Sequence, residues 1–345
     1  MTTHDIGRLL IAGIPGPQLD AQTRRTLERL HVGGVILFRR NVGSPAQIST
    51  LTADLHALPS RPLIAIDHEG GRVLRLGEPF TQFPPAAAIG RTGDASIAFR
   101  VGQAMAEELA AVGIDLNFAP VLDVHSNPAN PVIGDRAFGP DPALVGEMGI
   151  AMMRGLQAGG VIPCGKHFPG HGDTKKDSHL ELPVVRRSRA QLERTELAPF
   201  RAAIAAGMPM LMTAHVMYPV LDPEHPATMS RVILTDLLRT ELQFEGVIAS
   251  DDLEMRAIAD HQEIGAAALA TLRAGADALL VCQDLLKAER AIEAITRAVV
   301  DRLLPLEAVT AAAHRIERLR QSSPPRRGAA CELPNAPHRA LVQAI

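Results

Sequence analysis

The chain has 345 residues, 46% of them hydrophobic, and a net charge of −3. That is enough apolar material for one large core, and a near-neutral balance without a Lys/Arg block excludes nucleic acid as the expected partner. Three scattered cysteines (Cys164, Cys282, Cys331) exclude a disulfide framework and point to a reducing compartment.

The opening stretch, MTTHDIGRLLIAGIPG, carries an early acid and only a short apolar run, which makes a poor secretory signal. No segment approaches the roughly 18 apolar residues a membrane helix needs. The expectation is a soluble cytoplasmic protein. Aromatic residues make up 3% of the chain, with no Trp and a single Tyr, Tyr218. Flat rings are the usual platforms for long polysaccharides, so their scarcity favours a small, polar, hydrogen-bonding pocket.

Short apolar runs rich in β-branched residues recur at 9–14, 32–38, 63–67, 115–121, 160–164, 210–215, 246–250 and 278–282. Such near-continuous hydrophobicity marks strands covered on both faces, as parallel strands are. Helical patterns lie between them at 21–30, 46–58, 96–112, 142–158, 189–206, 235–243 and 263–274, and two more follow the last strand at 285–299 and 306–320. Gly33, Gly113, Gly159, Gly207 and Gly275 fall near helix ends, where C-terminal caps belong. Eight strands alternating with helices predict a single-domain (β/α)₈ TIM barrel, an α/β fold. A doubly wound open sheet is the alternative, but IAGIPGPQLD lacks the glycine-rich phosphate turn expected after its first strand. The barrel is assigned to 1–321, and the Pro-, Ala- and Arg-rich segment 322–345 is read as a tail, packed or mobile.

In such a barrel the chemistry gathers where strands end. The third strand ends in Asp67-His68-Glu69, with Arg75 beyond; the fourth leads to Asp123, then Asp135 and Arg136. The fifth delivers Lys166 and His167 and a loop holding Asp177 and His179; the sixth ends in His215, and the seventh in Asp251-Asp252. Bland roles compete for several of these. Glu69 reads better as an ion-pair partner, and His171, between glycines, as a loop brace. Arg136 reads better as substrate-binding than structural, while His215 is open between lining and bracing. Adjacent Asp251 and Asp252 must point to opposite sides of their strand, so only one faces the mouth. His167 and His171 have zinc-ligand spacing only on a helix, and Pro169-Gly170 between them breaks any helix.

The segments IDHEGGRV, NFAPVLDV with NPVIGDRAFG, KHFPGHGDT with DSH, and SDDLEM closely resemble the bacterial β-N-acetylglucosaminidases of glycoside hydrolase family 3. The likeness spans 63–255, in the family's order. It implies a single (β/α)₈ domain and metal-free exo-cleavage of terminal N-acetylglucosamine, with no cofactor. Carried over by position, it implies Asp251 as nucleophile, His179 as acid/base and Asp177 as its orienting partner. Asp67, Arg75, Arg136, Lys166 and His167 match sugar-binding positions. Lys175 and Lys176, just before the dyad, are a departure that adds positive charge near the leaving group. Muropeptides are the substrates the resemblance implies; a monomer is the expectation, on which the sequence itself is silent. Phosphorolysis on the same residues, a silent sugar-binding barrel and β-glucosidase specificity are the competing readings.

Overall fold

The computed structural model describes residues 3–178, 180–322, 324–328 and 331–345. The apolar runs become parallel strands: β1 (Leu10–Gly13), β2 (Gly34–Leu37), β3 (Leu63–Ile66), β4 (Leu116–Asn117), β5 (Ile162–Pro163), β6 (Gly165–Phe168) and β7 (Met210–Thr213). A small antiparallel hairpin follows, β8 (Met217–Tyr218) with β9 (Asp222–Pro226), and then β10 (Val247–Asp252) and β11 (Ala278–Val281) return to the main sheet. The sheet order is β5-β4-β3-β2-β1-β11-β10-β7-β6, parallel throughout.

Nine strands amount to the eight expected, because β5 and β6 are one stretch broken at Cys164. The first half pairs with β4 and the second with β7, so this stretch closes the ring. Pro163, which has no N–H to donate, lies at the break. The Cys164 amide reaches across to the carbonyls of Asn117 and Ala119, and the Lys166 amide to that of Pro120.

All four residues of β1, β2, β3, β6, β7 and β11 are buried, as strands covered on both faces must be. Six of the surrounding helices begin on side-chain caps: Asp20, Ser44, Asp94, Asp141, Ser188 and Asp284 each accept from backbone amides of the first turn. The 189–206 pattern divides into Arg189–Arg194 and Leu197–Ala205; Pro199 in the first turn of the second piece is the local signal for a fresh start. After the first long helix the left-handed residue is His31 (φ 54°) rather than a glycine.

The described part of the segment after 321 packs on the barrel. Arg327 pairs with Asp115 at the start of β4 (2.7 Å), and the helix Ala336–Gln343 sets His338 between Glu107 (3.1 Å) and Glu108 (2.9 Å). Among the described residues no helix is long and apolar enough to cross a membrane.

Candidate active site

Strand ends β3, β6, β7 and β10 and the turn carrying Arg136 surround a cavity of about 110 Å³. Its lining includes Asp67, Arg75, Arg136, Lys166, His167 and Asp251. Six of the eight predicted site residues thus share one cavity, although Asp67 and Asp251 stand far apart in sequence. A larger opening, about 610 Å³, lies beneath the opposite end where β7 and β10 begin. The small cavity is the one with converging charge, at the end of the barrel where strand ends aim their side chains.

The charges are cross-braced. Lys166 Nζ lies 2.6 Å from Asp67 and 2.6 Å from Glu69, and Arg136 grips Glu69 with Nε at 2.8 Å and a terminal nitrogen at 2.9 Å. Burial alone would raise the Glu69 carboxyl, but Arg136 and Lys166 outweigh it and hold Glu69 well below the usual carboxylate range. Burial would likewise discharge Lys166, yet Asp67 and Glu69 keep its ammonium charged and raise its pKa. The expected reading of Glu69 as an ion-pair partner is therefore right. Arg136 both lines the cavity and is held rigid by Glu69, so its two readings are not exclusive. Arg75 sits 3.7 Å from Asp67 with its guanidinium over the Phe38 ring. His68, buried just past the end of β3, accepts from the Arg75 backbone amide. Burial drives its pKa down to about 4, so this nitrogen stays an acceptor.

Asp123 at the end of the fourth apolar run organises the KHFPGHG segment. Its Oδ2 lies 2.6 Å from His167 Nδ1, and its Oδ1 accepts from the amides of His167 (3.2 Å) and His171 (2.6 Å). That leaves His167 Nε2 toward Arg136, 3.4 Å away. Gly172 is required here, since a Cβ would fall 1.6 Å from the Val124 carbonyl. Gly170 adopts φ +130°, a backbone that L side chains rarely adopt. Asp123 was legible as a polar strand end, but its role was not assigned from sequence. A carboxylate inside the apolar run VLDV is the signal that could have found it.

His171 is a brace, as expected: it is buried, with Nδ1 2.9 Å from Thr174 Oγ1 and Nε2 3.1 Å from Ser178 Oγ. His215 also braces. Its ring, fully buried, joins Thr228 Oγ1 (2.8 Å) and the Asp252 carbonyl (2.9 Å). Asp251 faces the cavity and its Oδ1 accepts from the Asp252 amide. The Asp252 carboxyl instead accepts from the amides of Glu254 and Cys282, and burial pushes its pKa up to about 7. The opposite-facing pair is as the strand geometry required. Asp177 lies half-buried on the following loop, and His179 lies outside the described residues. Ser178 between them is buried and lines the cavity. Among the described residues no three His, Cys, Asp or Glu side chains gather in a metal-holding arrangement.

The model of the glycosyl hydrolase family 3 N-terminal domain matches residues 1–319. A β-hexosaminidase of Nitrosomonas eutropha is 45% identical over 282 residues, 80% of each chain. Among solved structures, a family 3 β-N-acetylglucosaminidase from Paenibacillus matches at TM-score 0.96 and 40% identity, over all of this chain and 68% of that one. NagZ from Neisseria gonorrhoeae, solved with N-trifluoroacetyl-D-glucosamine, matches at TM-score 0.76 and 37% identity, over 90% and 97% of the two chains. The closed parallel barrel, the charged cavity at its strand ends and these likenesses agree: the chain belongs to glycoside hydrolase family 3, among its β-N-acetylhexosaminidases.

Proposed function

We propose that this protein is a retaining exo-β-N-acetylglucosaminidase that removes the non-reducing terminal sugar from peptidoglycan fragments. One observation carries the reading: Asp251 opens onto the same cavity as Asp67, Arg75, Arg136, Lys166 and His167. A terminal sugar held by those five side chains presents its anomeric carbon to a carboxylate. Asp67, Lys166 and Arg136 form a fixed set of donors and acceptors for ring hydroxyls, because Glu69 locks the two cations in place.

Retaining hydrolysis needs a nucleophile and an acid/base group. Asp251 attacks the anomeric carbon and forms a glycosyl ester while His179, protonated, gives its proton to the departing oxygen. Neutral His179 then takes a proton from the water that cleaves the ester. An imidazole titrates near pH 6.5 and can do both. Asp177, two residues earlier, orients it and favours its charged form. Three unpaired thiols fit a cytoplasmic setting.

The test is nitrophenol release from the aryl β-N-acetylglucosaminide and from the β-glucoside, each with and without phosphate. The proposal expects fast turnover of the acetylated sugar only, indifferent to phosphate. Phosphate-dependent turnover would make the protein a phosphorylase, and preference for the glucoside would overturn the sugar assignment.

A further inference from the structure

The segment after β6 is fixed at its root. Asn130 Nδ2 donates to the carbonyls of His171 (2.9 Å) and Gly172 (3.0 Å) and to Thr174 Oγ1 (3.1 Å). The same side chain's oxygen accepts from the amides of Val132 and Ile133, in the turn that carries Arg136. Asp173 pairs with Arg187 at 2.8 Å, and Tyr218 donates to the Gly170 carbonyl. Beyond Thr174, Lys175 and Lys176 are exposed and Asp177 half-buried. Burial resumes at Ser178, whose hydroxyl meets His171 Nε2 at 3.1 Å and whose carbonyl accepts from Ala257, just past the strand of Asp251.

We infer that His171 is a positioning residue: its backbone amide is held by Asp123 and its ring by Thr174, and the ring latches Ser178 and so positions the segment that carries Asp177 and His179. This rests on the acid/base reading of His179. A side chain already ordered by the barrel meets the buried side chain between the two dyad residues, and this side-chain contact joins the Ala257 amide's bond to the Ser178 carbonyl in holding the segment. His171 is buried beside His167, with ring centroids 5.8 Å apart. Burial, then repulsion from His167, pushes its pKa down to about 4. It is therefore neutral at working pH, with one donor and one acceptor nitrogen, and the two hydroxyls occupy both. Asp123 links the latch to the sugar site through His167, so the cavity wall and the dyad segment share one anchor.

His171 and Ser178 both line the cavity, and the latch acts more on proton donation than on sugar binding, which separates it from a merely structural role. The experiment compares Ser178→Ala, Ser178→Thr, His171→Gln and His179→Ala on an activated aryl β-N-acetylglucosaminide and on N,N′-diacetylchitobiose, whose leaving group is a sugar. General acid–base catalysis contributes about 10²–10⁴-fold. Ser178→Ala and His171→Gln are expected to lose roughly 10-fold in kcat/KM on the disaccharide and under about 3-fold on the aryl substrate. Ser178→Thr keeps the hydroxyl and is expected to lose less than Ser178→Ala on the disaccharide, and in all three variants inhibition by N-acetylglucosamine weakens by less than the loss on the disaccharide. Equal losses on both substrates, or none, for Ser178→Ala and His171→Gln overturn the latch while a leaving-group bias in His179→Ala leaves the acid/base reading standing. Absence of that bias in His179→Ala removes both.

Discussion

Glu69→Gln isolates the brace that holds the cavity's cations. Glu69 is 6% exposed and touches Arg136 through two bonds and Lys166 through a third at 2.6 Å. Removing one member of a buried ion pair costs about 3–5 kcal/mol, chiefly because the partner's charge is left uncompensated. Gln preserves the shape and one acceptor oxygen, and Lys166 keeps Asp67 at 2.6 Å, so the loss belongs at about 3 kcal/mol, the lower end of that range. At ~2 °C per kcal/mol for a large domain, the melting temperature falls by about 6 °C. The pH dependence gives the sharper check. Glu69's folded pKa is depressed, so its contribution is fully present above the unfolded value near 4.3 and is lost as pH falls through the folded value. Urea unfolding of the two proteins should differ by a constant amount from pH 8 to about pH 5.5, and the gap should narrow below about pH 4. KM should rise as Arg136 and Lys166 lose their fixed positions. A difference under about 1 kcal/mol at pH 7, or a gap that does not narrow in acid, would refute the argument.

Asp252 carries the opposite sign. Its folded pKa is raised to about 7, so the folded state holds a proton that the unfolded chain releases near 3.9, and stability declines as pH rises between the two values. Asp252→Asn should gain on the wild type by on the order of 2 kcal/mol on going from pH 5 to pH 8, measured by thermal melts at both; a pH-independent difference would contradict it. His338 titrates between Glu107 and Glu108. Although burial opposes its charge, its bonds to the two carboxylates raise its pKa. Its contribution is therefore present below the unfolded value near 6.5 and is lost as pH rises through the folded one. Limited proteolysis after residue 321 should quicken from pH 6 to pH 9, and the His338→Ala variant should not show that change.

Most of the barrel could be read from sequence because strands buried on both faces appear as near-continuous apolar runs; the fourth, 115–121, is interrupted by Asn117 and Pro120 and only Leu116–Asn117 of it pairs as a strand. The fifth strand was found, but not its division at Cys164, since which half pairs with which neighbour is a tertiary matter. The β8–β9 hairpin was missed because DPEHP has no apolar alternation and carries two prolines. In the site, residue types at strand ends located Asp67, Lys166, His167 and Asp251, yet the partners were hidden. Nothing local indicates that Lys166 reaches back 99 positions to Asp67, or that Asp123 supports two histidines at once. His215 stayed undecided for the same reason: its bracing partners, Thr228 and the Asp252 carbonyl, come from other parts of the chain.

The covalent intermediate tests the central claim most directly. The enzyme is incubated with a 5-fluoro N-acetylglucosaminyl fluoride, which forms the ester quickly and hydrolyses it slowly, and is then digested and sequenced by mass spectrometry. The account predicts one added glycosyl group, on the peptide containing Asp251, and no label on an Asp251→Asn variant whose turnover has dropped on the order of 10⁴-fold or more. A label on another carboxylate, or steady turnover by Asp251→Asn, would contradict it.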